Sequence, residues 1–556
     1  MMTDKESFWL LVLLLCAAIQ GGLYFSDGTY FPADDTYFHL ARIEGIAEGL
    51  RDGVFPVWIN GFLLNGYGVP EGIMYPDTLL YLPGILRLTG MSLSGAYSVY
   101  WLVITFLGMY SCYFAYNRWL GSPCGGCAAA VLYSSCYFLL WNHGISAGLS
   151  AAMAFLPLAV FGMWSVLKGR WQYWYLGTAG LCIICQSHLI SLLLLLPVAA
   201  CLLVMYGRNL SQPVRCRGFF KLLFFSLLLN LWRLVPLLDF YPRMQFHISD
   251  TQHYFGGNLS SLHYMTFSLD EMLHNGFMWG WPLILMMLVV LCGSCCGYAG
   301  GGYGIRGWHD TLLLCSVITL GMWQGFPWQL LESLPVLGTF LPKFQFPMRF
   351  ISLGLVPLVY YLAGYAAALA EKWQQCRWLL AAACIAAACL SLYLNAAMEL
   401  AIRGDYFPKS RGYACIEALP STGAYNYEDY LYADVSFDRL RNRDGSRRTG
   451  ADLYTEAEVV SFARQGSRLE LAYCSEYDTA VELPLFFFEG YRGELEDGSS
   501  AVIGETAEHI MTVMLPAGEH YLSVWYEGQW YYGTACQLSF FGTLLFALCV
   551  FQEVSR

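Results

Sequence analysis

Long apolar runs recur along most of the chain, separated by short polar turns. A hydrocarbon core about 30 Å thick needs roughly 17–25 apolar residues per helix. Stretches approaching that length lie near 8–25, 95–116, 124–141, 148–167, 172–188, 189–206, 219–239, 277–297, 310–323, 350–370, 378–398 and 534–551. The first has Lys5 ahead of it, as a signal peptide would, but no small-x-small cleavage site stands out and further spans follow. It reads as an uncleaved first helix. Three longer segments break the rhythm, at 26–94, 241–276 and 399–532.

Within the first of these, residues 35–50 (DTYFHLARIEGIAEGL) put Phe38, Ile43, Ile46 and Leu50 near one face, with Arg42, Glu44 and Glu48 elsewhere. That spacing predicts an amphipathic helix along the membrane surface, preceded by Pro32 and capped by Asp34. The last segment changes to period-two runs at 468–473 (RLELAY), 480–487 and 509–515, separated by turn signals at 496–498, 516–518 and 527–528. Such alternation predicts a small antiparallel β domain of sandwich type. The expected fold is therefore a polytopic α-helical membrane protein of about 12 transmembrane helices with a C-terminal extracytoplasmic β-sandwich-like domain. Its parts are a helical region 1–398 that includes the outer loop 26–94, a β-rich region 399–533, and a final helix with its tail, 534–556.

Basic residues are retained on the cytoplasmic side of short loops. With the N-terminus inside, the inner turns receive Arg118, then Lys168 and Arg170, then Arg208, Arg215, Arg217 and Lys221, then Arg306, then Lys372 and Arg377. Both termini are then expected in the cytoplasm and the three long segments outside.

Composition agrees with a membrane class: 57% of residues are hydrophobic and 13% charged, against about a quarter charged in soluble domains. The net charge of −11 and the lack of clustered Lys and Arg argue against a nucleic-acid partner. Most of the 20 cysteines, such as Cys16, Cys112, Cys136, Cys182 and Cys389, lie in apolar runs, where a thiol acts as a small hydrophobe. Cys415 and Cys474 fall in a polar stretch and either pair in an oxidising compartment or stay as thiols. Cys124 and Cys127 form a CxxC without a second ligand pair at zinc spacing, and read as structural. The glycine-rich run 297–304 lacks the Lys-Ser/Thr ending of a phosphate loop and reads as a flexible inner loop.

Candidate chemistry begins at Asp34 and Asp35. His39 and Arg42 follow Asp35 at helical spacing, which stacks the three on one face. Adjacent carboxylates repel, raising one pKa, and suit a general base or a divalent cation. The same pair could simply cap a helix at its positive end. At the same membrane level lie His143, His188, Arg233 and Asp239, and ionisable groups there usually face a protein cavity. The structural alternatives are carbonyl-bonded interfacial histidines and an Arg233–Asp239 pair, the latter awkward at i+6. Lys343 and Arg349, set among prolines and aromatics on the outer side against the inside bias of basic residues, suit an anionic ligand such as a lipid phosphate. Snorkelling to headgroups is the alternative.

The run 32–86 (PADDTYFHLARIEGIAEGLRDGVFPVWINGFLLNGYGVPEGIMYPDTLLYLPGIL), SHLIS at 187–191, LWRLVPLLDFYP at 231–242 and FQFPMRF at 344–350 together resemble the YfhO-like bacterial multispanning membrane proteins. Some of these carry the label 6-pyruvoyl-tetrahydropterin synthase-related membrane protein. The resemblance covers nearly the whole chain and implies a GT-C type glycosyltransferase of the bacterial plasma membrane. Such an enzyme takes its sugar from a polyprenyl-phosphate-linked donor and places an acidic catalytic residue where Asp34 and Asp35 stand. His143, within WNHG, matches no motif of that type. Roles for His39, Arg42, His143, His188, Arg233, Lys343 and Arg349 in holding substrate follow from topology and charge. The expected partners are membrane lipid, the lipid-linked sugar donor and an extracytoplasmic glycan or lipid acceptor; of cofactors, the acidic pair suits a divalent cation. Two other functions fit a chain of this pattern. A transporter or flippase of a glycolipid intermediate would expose its site to both faces in turn. A non-catalytic surface protein would bind polymer through the aromatic-rich β region.

Overall fold

The computed structural model describes residues 4–22, 34–142, 146–247, 279–296, 323–335, 347–373, 376–406, 428–436 and 440–555, apart from a few positions in the last stretch, with isolated residues between. The chain is mostly helical, with a C-terminal β region in two sheets. The main helices are α1 (Asp4–Gly22), α2 (Asp34–Arg51), α3 (Glu71–Met74), α4 (Tyr81–Leu88), α5 (Leu93–Leu120), α6 (Pro123–Ser134), α7 (Tyr137–Asn142), α8 (Ala147–Leu167), α9 (Trp174–Cys185) and α10 (Leu189–Tyr206). After them come α11 (Pro213–Leu228), α12 (Leu231–Phe240), α13 (Trp281–Cys295), α14 (Trp328–Glu332), α15 (Ile351–Lys372), α16 (Cys376–Tyr406) and α17 (Trp530–Ser555).

Among the described residues, six helical segments are long and apolar enough to cross a membrane: Leu93–Leu120, Ala147–Leu167, Leu189–Ser211, Pro347–Lys372, Cys376–Leu394 and Trp530–Ser555. A seventh is Pro213–Leu228 with Leu231–Arg243, bent by 61° at the break. The expected number of twelve is therefore not reached by length and hydropathy. The stretch 124–141 is broken between α6 and α7, 172–188 yields only the 12-residue α9, and 310–323 lies outside the described residues. Local signals set the boundaries. Ser92 accepts from the Gly95 amide to start α5, and Gly121, at φ 67°, ends it. Ser122 and Pro123 open α6. Close approach is built from small residues: a Cβ on Gly162 of α8 would stand 2.1 Å from the Gly177 backbone of α9.

The strands are β1 (Tyr454–Thr455), β2 (Glu458–Gln465), β3 (Arg468–Ser475), β4 (Thr479–Phe486), β5 (Tyr491–Leu495), β6 (Ile503–Glu505), β7 (Ile510–Leu515) and β8 (Gly518–Tyr526). They form antiparallel sheets ordered β1-β4-β7-β6 and β2-β3-β8-β5. Leu469, Leu471, Leu522 and Val524 from one sheet and Val481, Leu483, Val513 and Leu515 from the other share a core, each alternating with outward positions.

That core continues into the long loop between α1 and α5. The Phe486 amide donates to the Tyr67 carbonyl (3.0 Å), and the Gly450 amide to the Asn65 carbonyl (2.8 Å). Leu64 and Asn65 make this turn with positive φ (53° and 52°), a costly conformation held by the docking. The opposite end of the helical layer gathers the chain ends and the basic turns: Arg377 covers the Phe8 ring at 4.3 Å, and Lys221 pairs with Glu553 at 2.7 Å.

The amphipathic surface helix expected at 35–50 takes a different place. Every residue from 38 to 47 of α2 is buried, because the loop and β region cover the face that the pattern assigned to water. Glu44 is buried with it and meets Arg87 of α4 at 2.5 Å. The exposed apolar face belongs instead to α4, with Leu82, Ile85 and Leu88 outward and Phe55 also exposed.

Candidate functional site

The side chains that converge come from four separate segments: the start of α2, the loop after α3, the start of α10 and the start of α15. Asp35 lies in the first turn of α2 and is exposed. Its charge acts on Tyr75, Tyr97 and Arg349. Arg349 is buried in the 3-10 turn Pro347–Phe350 that leads into α15. His188 is the N-cap of α10: its Nδ1 accepts from the Ser191 amide (3.2 Å) and lies 2.9 Å from Ser191 Oγ. Arg349 and His39 are both within electrostatic reach of it.

Tyr75 sits at the centre. Its ring centroid lies 5.8 Å from Phe38, 6.0 Å from His39 and 6.2 Å from His188, and its hydroxyl hydrogen-bonds with Ser146. Burial, reinforced by Asp35 and opposed by Arg42 and Arg349, pushes the phenol up to about 12, so it stays neutral and able to donate. His39 is buried too, with Nε2 unpartnered and Nδ1 3.4 Å from Arg42 Nη1. Burial, and then the Arg42 charge, hold His39 well below the usual imidazole range, leaving a neutral ring for hydrogen bonding. Arg42 is fully buried. It covers the Tyr75 ring at 4.4 Å and donates to the carbonyls of Tyr75 (3.1 Å) and Pro76 (2.9 Å). Its position is that of a clamp on the loop carrying Tyr75.

Arg233 is not brought into this group. It pairs with buried Asp77 of the first loop, donates to the Gly72 carbonyl and stacks 4.2 Å over Trp232. The alternative of an Arg233–Asp239 pair fails as well, since Asp239 binds Arg243 and the Tyr532 hydroxyl (2.8 Å). At i+6 the two side chains of α12 point to different sides. Asp34 begins α2, its side chain lies outside the described set, and so do His143, Lys343 and Cys415. The glycine run 297–304 is also outside it, Tyr298 excepted. Cys124 and Cys127 are buried thiols, the latter hydrogen-bonded with Cys384.

Sequence reasoning missed Tyr75, Asp77 and Glu71. Glu71 is buried, accepts from Asn60 Nδ2 at 2.8 Å through one oxygen and leaves the other unpartnered. Burial pushes it up to about 7, against the pull of Arg42 and the Asn60 hydrogen bond. The signal available was the density of aromatic, proline and acidic residues in EGIMYPD, at 71–77. Among the described residues no three His, Cys, Asp or Glu side chains are grouped to hold a metal ion.

Fold and site thus define a mostly helical chain with several helices able to span a bilayer, a C-terminal β region in two sheets, and a polar cluster where the loop between α1 and α5 meets the helices. No protein-family model and no curated protein matches the chain.

Proposed function

We propose that the chain is a membrane glycosyltransferase that moves a sugar from a polyprenyl-phosphate-linked donor to an extracytoplasmic acceptor, a glycan or a lipid. The observation that carries this reading is the convergence on Tyr75 of the His39 and His188 rings, 6.0 and 6.2 Å away, with buried Arg349 at the start of α15 and exposed Asp35 at the start of α2. A carboxylate from the opening loop and a guanidinium from a distant helix are the two charges that such a transfer needs. The first outer loop and the β region then lie outside the cell, and the end bearing Phe8, Arg377, Lys221 and Glu553 lies in the cytoplasm.

Asp35 takes the proton of the acceptor hydroxyl as that oxygen attacks the anomeric carbon from the side opposite the phosphate. The bond from the anomeric carbon to the phosphate oxygen breaks, polyprenyl phosphate departs, and the product has inverted configuration. Arg349 stabilises the charge that grows on the leaving phosphate, the kind of term that usually dominates such catalysis. Neutral His39, His188 and Tyr75 orient sugar hydroxyls. A positioned base contributes roughly a hundred- to ten-thousandfold.

The donor half of the reading is tested by native mass spectrometry of the protein in nanodiscs with polyprenyl-phosphate hexoses and N-acetylhexosamines. At least one should remain bound, with Arg349→Ala weakening it tenfold or more. Equal retention by wild type and variant would remove Arg349 from the site.

A further inference from the structure

The sheet β2-β3-β8-β5 has a face that the shared core does not use. Along β8 the buried Leu522 and Val524 alternate with outward Tyr521, Ser523 and Trp525. The register puts Trp525 opposite Arg492 of β5, and Ser523 between Glu470 of β3 and Glu494 of β5. Arg468, at the start of β3, stands 5.9 Å from the Trp525 ring centroid and 3.4 Å from Glu470. Tyr521 hydrogen-bonds with Glu470, and Arg492 pairs with Glu527 at 3.0 Å. Two aromatic side chains thus share one flat face, about 13 Å apart at the rise of a strand, with carboxylates between them and guanidinium groups at one end.

We infer that this face binds an uncharged glycan chain. Aromatic side chains offer apolar faces to the C–H faces of sugar rings, carboxylates accept from hydroxyls and guanidinium groups donate to ring and hydroxyl oxygens. The separation of Tyr521 and Trp525 suits an oligosaccharide rather than a single ring. Charge selects the class of polymer. Between residues 451 and 530 there are fifteen Asp and Glu against three Arg and no Lys, so a polyanion is repelled by the domain as a whole. The arginines of the face are already matched by Glu470 and Glu527, which leaves hydroxyl recognition rather than charge capture.

In its biological role, as a holder of the acceptor polymer, the inference rests on the transferase reading; glycan binding itself does not. The test is affinity electrophoresis of the full chain in detergent, through gels cast with dextran, a mixed-linkage β-glucan or soluble chitin oligosaccharides, and with polygalacturonate as the polyanion. At least one neutral glycan should retard the wild type. Trp525→Ala and Tyr521→Ala should each lower that affinity tenfold or more, with unfolding temperatures near wild type because both side chains face outward. Tyr477→Ala, at an exposed tyrosine beyond the end of β3 that hydrogen-bonds to Glu456, should bind as wild type does, and so should Asp35→Asn. Retardation by polygalacturonate alone, retardation unchanged in both aromatic variants, or none in any gel would overturn the proposal. Loss of sugar transfer in Asp35→Asn with glycan binding intact would separate the two claims.

Discussion

Replacing Glu71 by Gln should change how stability responds to pH more than it changes stability in acid. In the folded chain burial raises this carboxyl from an ordinary value of 4.5 to about 7. The folded state therefore holds a proton that the unfolded chain releases above its lower pKa. The resulting stabilisation is complete below pH 4.5 and is lost as pH rises through about 7. Each pH unit within that window is worth about 1.4 kcal/mol, or about 3 kcal/mol across it. Arg42 and Arg233, the cations within reach of Glu71, oppose the rise and are present throughout the window. Glutamine keeps the acceptor for Asn60 and carries no titrating proton. Thermal unfolding in a single detergent from pH 4.5 to 8 should show a falling midpoint for the wild type and a markedly flatter profile for Glu71→Gln. Parallel profiles would refute the assignment of a neutral Glu71 and the packing argument behind it.

Three further outcomes follow from the same packing. Arg233→Met should destabilise by about 3–5 kcal/mol, because it leaves Asp77 charged and buried, and Arg233→Met with Asp77→Asn should recover much of that loss; unfolding midpoints of the three proteins decide it. Gly162→Ala should cost about 1–3 kcal/mol or prevent folding, since its new methyl meets the α9 backbone, and yield with size-exclusion profile reports it. His188→Asn keeps a side chain able to cap α10 yet removes the imidazole, so it should leave the midpoint within about 1 kcal/mol while donor binding weakens; a midpoint loss as large as that of Arg233→Met would make His188 purely structural.

Much of this architecture was legible because two periodicities dominate the chain. The apolar runs found α5, α8, α10, α15 and α17 within a few residues and α16 except for its last eight, and strict alternation at 468–473 and 509–515 found β3 and β7. The environment of α2 was hidden, since a pattern of apolar and charged positions does not say what will cover the charged side. Glu44 finds Arg87, and Arg42 finds two carbonyls, only when the loop folds back over the helix. The candidate site was legible only in single polar residues, Asp35, His39, His188 and Arg349, that the pattern placed at one level. It was not legible in Tyr75, one aromatic among 39 tyrosines, whose place follows from long-range closure. Arg233 shows the converse failure, because its partner Asp77 lies more than 150 positions away and only the fold puts the two together.

The central claim, that Asp35 and Arg349 work on one lipid-linked sugar, is tested most directly by release of polyprenyl phosphate from purified protein in nanodiscs supplied with donor and acceptor glycan. Asp35→Asn should lower that rate at least a hundredfold while donor binding and unfolding midpoint stay as in the wild type. Wild-type turnover by a folded Asp35→Asn protein would contradict it.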